Sequence, residues 1–186
     1  EHKKNYDIYC SSNQIKFSND SNSEGRSLDD FSPHMFQKEI EAGGVPVYSW
    51  SGWYDGAYPR SAVNRFLNIK TPGSRLILGP WDHAGNHTAD PFVKYSKIKT
   101  HFDHIKEILR YLDVHLNNGE GGGLKDENPV HYFTVGENKW KESDTWPPEN
   151  FKCLELYLGQ GTLLHKKRGK DCSIYKSRQD ATTGRY

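Results

Sequence analysis

Asp55 and His83 are the residues of this chain best placed, by type and spacing, to move a proton. Each sits at the end of a short run rich in apolar and β-branched residues. The first run is Val45-Pro-Val-Tyr-Ser-Trp-Ser-Gly-Trp-Tyr-Asp55-Gly56, and the second is Arg75-Leu-Ile-Leu-Gly-Pro-Trp-Asp-His83-Ala-Gly85. A carboxylate can hold an imidazole in one tautomer through Nδ1, leaving Nε2 to take a proton from a hydroxyl. The chemistry this suggests is acyl transfer, with His83 as general base and then general acid and Asp55 orienting it. Taken singly, each residue has an ordinary explanation. Asp beside Gly satisfies backbone donors in many strand-end turns, and a histidine near Trp81 and Pro80 could be a satisfied surface residue. Their order and separation say more.

Residues at the C-terminal ends of adjacent parallel strands lie side by side. The separation of 28 positions from Asp55 to His83 leaves room for one crossover helix and one strand. The sequence supplies both. Val45 to Trp50 reads as a buried strand, and Pro59 to Asn68 as a helix with Ala62, Val63, Phe66 and Leu67 on one face. Arg75 to Leu78 is the next strand, introduced by the turn Thr71-Pro-Gly-Ser74. Strand, helix, strand at this spacing is a βαβ unit, which favours a parallel sheet. An acid and then a histidine at such tips matches the last two members of the Ser…Asp…His order of α/β hydrolases.

The remaining elements surround that unit. Residues 2–17 suggest a short helix and Ser18 to Asp30 a polar loop. Ser32-Pro33 opens a helix that runs to about Ala42 and stops at Gly43-Gly44. His101 to Leu116 is the clearest amphipathic helix, with Phe102, Ile105, Ile108, Leu109, Leu112 and Leu116 at three- and four-residue steps as its expected core face. Asn117-Asn-Gly119 ends it, Gly121-Gly-Gly123 follows as a connector, and Val130 to Val135 is another strand. Trp140 to Asn150, with Trp146-Pro-Pro148, reads as a linker or domain edge. Beyond it Cys153 to Leu158 alternates apolar and polar, and Thr162 to Leu164 could pair with it as the start of an antiparallel domain.

Composition narrows the function classes. The 186 residues carry 25 basic and 24 acidic side chains, a formal charge of +1 that gives no electrostatic case for nucleic acid or an anionic membrane. No run of about 18 apolar residues is present to span a bilayer. Mean hydropathy is low, at −0.90, yet aromatics make up 13% of the chain, so the reading is a folded protein with polar loops. Cys10, Cys153 and Cys172 fit no zinc or disulfide spacing, and Asn19 and Asn86 head glycosylation sequons that would matter only in a secretory pathway. The chain opens at Glu1 without a signal-peptide pattern, has Met35 as its only methionine, and stops in mid-pattern after Ala181-Thr-Thr-Gly-Arg-Tyr186. The expectation is a piece of a longer polypeptide, its compartment unknown.

Several motifs resemble one family. Gly52-Trp-Tyr-Asp55-Gly56 with Leu78-Gly-Pro-Trp-Asp-His83 is similar to the cocaine-esterase/X-Pro dipeptidyl-peptidase family of serine hydrolases. The likeness continues through Tyr111-Leu-Asp-Val-His-Leu-Asn-Asn-Gly119, Tyr132-Phe-Thr-Val-Gly-Glu-Asn-Lys-Trp140, Asp144-Thr-Trp-Pro-Pro148, Leu156-Tyr-Leu-Gly159 and Ala181-Thr-Thr-Gly184. The resemblance covers roughly residues 37–186 and implies triad roles for Asp55 and His83. It also implies an α/β fold: the C-terminal half of an α/β-hydrolase parallel sheet over residues 37–149, then the start of a jelly-roll domain over 150–186. Residues 1–36 match weakly, as the tail of a helical cap. The implied substrates are esters, amides or short X-Pro peptides, with no metal or organic cofactor.

One member of the triad is missing. A G-x-S-x-G elbow should carry the nucleophile, and the nearest local candidate, Gly25-Arg-Ser27-Leu-Asp29, has Asp for the second Gly and no strand before it. Ser49 and Ser51 lie on the acid-bearing strand. The chain alone is therefore expected to be inactive and, with a sheet edge unpaired, sticky. The rival reading is a non-catalytic remnant or binding module that keeps the family pattern. Trp53, Tyr54 and Trp81 are candidate pocket residues, with core packing the alternative for Trp53 and Tyr54. Asp82 adjoins His83, but neighbours in sequence rarely orient each other's side chains this way, so Asp55 is the preferred acid. His87, His101 and His104 form no metal pattern, and His101 and His104 are expected to face solvent.

Overall fold

In a computed structural model of the chain, the described residues are 21, 24–87, 102–117, 123–159, 161–167, 169, 174 and 176. The helix expected over residues 2–17, Cys10, Asn19, His101, Gly121, Gly122, Cys172 and the Ala181–Gly184 segment lie outside them. The described residues fall into two compact units that divide after Trp146.

The first unit is a mixed α/β structure around a four-stranded sheet. Strands β1 (Tyr48–Gly52), β2 (Arg75–Gly79) and β3 (Val130–Thr134) are parallel neighbours in that order, and β4 (Lys139–Ser143) pairs antiparallel with β3. Helix α1 (Gln37–Gly43) follows the 3-10 turn Pro33–Phe36, helix α2 (Tyr58–Asn68) joins β1 to β2, and helix α3 (His104–Leu116) precedes β3. The strand-helix-strand unit read from the sequence is thus present, with β1 displaced toward its C-terminal end. Pro46 has no N–H to give a ladder, and the amide of Val47 turns aside to the Ser74 hydroxyl, 2.9 Å away.

Strand β2 is central and buried on both faces. Leu76, Ile77 and Leu78 are fully enclosed, as expected for a parallel strand covered on both sides, and such burial is worth about 1.5–3 kcal/mol for each side chain. On one face Leu76, Leu78 and Val130 meet Ala62 of α2, with Val63, Phe66, Tyr132, Trp53 and Trp146 packed around them. The other face divides along its length. Toward the strand C-termini it is aromatic: Trp50, Trp81, Phe102, Phe133 and Trp140 stack at centroid distances of 5.2–6.3 Å.

Toward the strand N-termini the same face is charged. Arg75 donates to Glu127 (3.1 Å) and to the Asn128 carbonyl (2.9 Å). Arg110 pairs with both Glu107 and Glu127, and Tyr48 donates to Glu107 at 2.7 Å.

That charged end corrects the reading of α3. The residues buried by this helix are Glu107 and Tyr111, whereas Ile105, Ile108, Leu109, Leu112 and Leu116 are exposed. The ion-pair network, with the 4.8 Å contact between the Tyr48 and Tyr111 rings, fixes the helix by its mixed polar-aromatic side. The segment read as a linker or domain edge from Trp140 is corrected in part: the two units do divide within it, after Trp146, but its first residues form β4, a charged edge strand in register with β3 through Phe133 opposite Trp140 and His131 opposite Glu142.

The second unit contains a short antiparallel hairpin, β5 (Tyr157–Leu158) with β6 (Leu163–Leu164). No helix among the described residues is long and apolar enough to cross a membrane.

Candidate active site

The β1–β2 register sets Gly52 opposite Gly79, so the turns leaving the two strands begin side by side. They are tied together by backbone bonds: the Trp53 amide donates to the Gly79 carbonyl (2.8 Å) and the Tyr54 amide to the Trp81 carbonyl (3.2 Å). Both glycines are needed for close approach. A Cβ on Gly52 would lie 1.9 Å from the Trp81 carbonyl oxygen, and one on Gly79 would lie 1.9 Å from the Trp81 ring. Gly56, at φ +59°, completes the turn after Asp55.

Within that frame His83 Nδ1 and Asp55 Oδ1 are 2.8 Å apart. The Asp55 side chain is only 12% exposed while that of His83 is 76% exposed, so the acid is enclosed and most of the imidazole faces outward. The second carboxylate oxygen accepts from the Ser51 hydroxyl at 3.4 Å. This geometry suits a carboxylate that holds Nδ1 and leaves Nε2 for a proton acceptor's work.

Asp82 has a different task. Its Oδ1 accepts from the amides of Ala84 and Asn86, each at 2.9 Å, and its Oδ2 from the Asn86 side chain at 3.2 Å. Some desolvation pulls its carboxyl upward, but the bonds from Asn86 and Ala84, helped by the neighbouring His83, hold it below the usual range. Asp82 therefore folds the loop that presents His83, and Asp55 is the residue bonded to the imidazole.

The three aromatic residues marked as pocket candidates are placed as follows. Trp81 is 4% exposed and packs over Gly79, beneath the loop rather than at its surface. Trp53 is half-buried, donates its indole N–H to the Phe133 carbonyl at 2.6 Å and packs on Trp146. Tyr54 is half-buried with its hydroxyl enclosed.

His104 departs from expectation. It does not face solvent but packs against Trp81 (4.5 Å) and Gly85, and burial holds its pKa below the ordinary value despite a bond to the Phe102 backbone and the nearby Asp103. Sequence reasoning missed Tyr58 altogether. Its ring lies 4.9 Å from the His83 ring at 32°, and only its place three residues after Asp55 could have hinted at that.

Ser27 is engaged elsewhere: its amide donates to Asp30 Oδ2 (2.7 Å) while its hydroxyl accepts from the Asp30 amide (3.3 Å). No serine hydroxyl among the described residues is hydrogen-bonded to His83. Nor does any group of three or more His, Cys, Asp or Glu side chains among them suit a metal ion.

Comparison with known proteins agrees with the motifs. The sequence model of the X-Pro dipeptidyl-peptidase (S15) family matches residues 10–85, a stretch that includes both Asp55 and His83. A Mycobacterium bovis protein provisionally named a serine esterase is 40% identical over 166 residues, covering 79% of this chain and 26% of its own length. Cocaine esterase from a Rhodococcus species is 28% identical over 130 residues, covering 67% of this chain and 22% of its own. Over these stretches the chain resembles the cocaine-esterase/X-Pro dipeptidyl-peptidase family.

The chain spans about a quarter of the length of these curated relatives. A solved archaeal aminopeptidase, from a marine-sediment Thaumarchaeota archaeon, is 19% identical with a TM-score of 0.49, covering 70% of this chain and 23% of its own. The family is one of hydrolases, and the mixed α/β architecture with its mostly parallel sheet agrees with an α/β-hydrolase-like fold.

Proposed function

We propose that Asp55 and His83 are the acid and base of a Ser-His-Asp triad that hydrolyses an ester or amide bond. The serine would come from polypeptide outside these 186 residues. The observation that carries the reading is the 2.8 Å contact between Asp55 Oδ1 and His83 Nδ1 at the tips of two adjacent parallel strands, with most of the imidazole left exposed.

In that mechanism His83 Nε2 accepts the serine proton as the hydroxyl oxygen bonds to the acyl carbon. His83 then gives the proton to the leaving alcohol or amine. Asp55 keeps its charge throughout and stabilises the imidazolium. A water attacks the acyl-enzyme by the same relay in reverse, releasing the acid and restoring the serine. We read the β5–β6 hairpin as the entry to a β-sandwich domain, and small esters, amides or X-Pro peptides as the substrate class.

The test is the natural reading frame containing these residues, assayed on p-nitrophenyl esters and X-Pro anilides and labelled with a fluorophosphonate. Asp55→Asn and His83→Ala are each expected to lower kcat by about 10³-fold or more. Full activity in either variant sinks the assignment. The 186-residue chain alone is expected to take no label, and a labelled serine within it would overturn the view that the nucleophile lies elsewhere.

A further inference from the structure

Beyond the two residues of the proposed pair, we propose that Tyr58 is a positioning residue: its ring is a platform that fixes the plane of the His83 imidazole. The inference rests on reading Asp55 and His83 as an acid–base pair, and it adds the group that sets the direction of Nε2. A single hydrogen bond to Nδ1 fixes one atom of the imidazole and leaves the ring free to pivot about that contact. A ring exposed over three quarters of its surface has little packing to stop the pivot.

Tyr58 supplies what is missing. Its centroid lies 4.9 Å from that of His83 with the planes inclined at 32°, a tilted ring pair rather than an edge contact. The charged or titratable groups recorded against His83 among the described residues are Asp55 and Tyr58 in contact and Asp82 beside it. Two of these act on the imidazole in different ways, Asp55 through a hydrogen bond at Nδ1 and Tyr58 through a tilted ring contact.

Local structure makes the arrangement deliberate rather than incidental. Tyr58 opens α2, and its amide donates to the Asp55 carbonyl at 3.3 Å, so the turn that places the acid also places the platform. Gly56 at positive φ allows the chain to reverse within three residues, and Pro59 stiffens the first helical turn. Burial does not explain a tyrosine here, because the residue is more than half exposed and stands apart from the core cluster. A π face also offers its negative side to whatever positive charge the imidazole acquires during proton transfer.

Nuclear magnetic resonance of the 186-residue chain tests this without any assay of activity. Cross-peaks between the Tyr58 and His83 rings are expected in the unaltered chain, and their absence would overturn the proposal before any variant is made. Tyr58→Leu should remove the upfield ring-current displacement of the His83 carbon-bound protons. It should also speed exchange of the Nδ1 proton roughly 2- to 10-fold, the range expected for loss of one aromatic pair. Tyr58→Phe should restore both.

Unchanged His83 signals in Tyr58→Leu overturn the platform. In that case loss of the Nδ1 proton resonance in Asp55→Asn would show that the pair itself stands, whereas an Asp55→Asn variant that keeps the resonance defeats the pair and not the platform alone. In the active longer polypeptide, Tyr58→Leu is expected to lower kcat roughly 2- to 10-fold with KM held, again rescued by Phe. A rise in KM with kcat unchanged would make Tyr58 a substrate contact and overturn the positioning role.

Discussion

Two adjacent acids, Asp55 and Asp82, compete on paper for His83, and hydrogen bonding separates them. Asp82 accepts three bonds from its own loop, while Asp55 reaches across from the neighbouring strand tip. Asp82→Ala should therefore loosen the 82–86 loop and cost about 1 kcal/mol of stability, since a largely exposed carboxylate is screened by solvent. Urea unfolding of the chain reads that cost. Asp82→Ala should leave the Nδ1 proton resonance of His83 in place, and its disappearance would mean that Asp82 and not Asp55 is the imidazole's partner. That Asp55 and His83 would lie side by side was legible from sequence, because both follow strands whose apolar runs are unambiguous. Tyr58 was not, because its contact depends on how a four-residue turn directs a side chain. His104 was missed for a related reason: helical spacing tells which residues share a face but not which face the sheet receives.

The same limit explains α3. Its apolar stripe is regular enough to announce a helix, and the helix is there, but the stripe points away from the sheet. Glu107, Arg110 and Tyr111 point inward because Arg75, Glu127 and Tyr48 supply partners that a row of leucines could not satisfy. A charged group enclosed in this way is costly to strand, so Glu107→Ala is expected to destabilise the chain by about 2–3 kcal/mol. Leu109→Ala, on the exposed stripe, should cost less than about 0.5–1 kcal/mol. The ranking is the test: equilibrium unfolding in which Leu109→Ala is the more damaging would show that α3 buries its apolar side. Strand β4 was hidden from sequence reading for the opposite reason, being short, charged and at an edge, where alternation carries little signal. β1, β2 and α2 were recoverable because one buried parallel strand and one helix face leave few other solutions.

At the scale of the whole chain, the groups with shifted protonation act in concert. Burial holds His104, His115 and His131 below the ordinary histidine value, with Arg75 adding to the effect at the last two. The Arg110 guanidinium holds Glu127 below the ordinary carboxylate value, and the loop amides do the same for Asp82. Each of these groups binds protons more readily when unfolded, so its stabilising contribution is present above its unfolded pKa and is lost as the pH falls through the folded one. Acid destabilisation should thus begin near pH 6.5 with the histidines and deepen below about 4.5 with Glu127 and then Asp82. At the other end, burial pushes Tyr111 up to about 12, and burial with the Glu107 contact raises Tyr48 further. A raised tyrosine favours the fold until the unfolded phenol ionises near 10, so stability should fall again above that pH. Melting temperature against pH is expected to trace a plateau between roughly 7 and 10 with a decline on either side. His104→Phe keeps an aromatic ring against Trp81 and Gly85 but removes a titrating group. It should shallow the descent between pH 6.5 and 5 while leaving the alkaline limb as it was. An acid limb of unchanged slope in that variant would clear His104 of any part in it and assign the descent to His131 and His115.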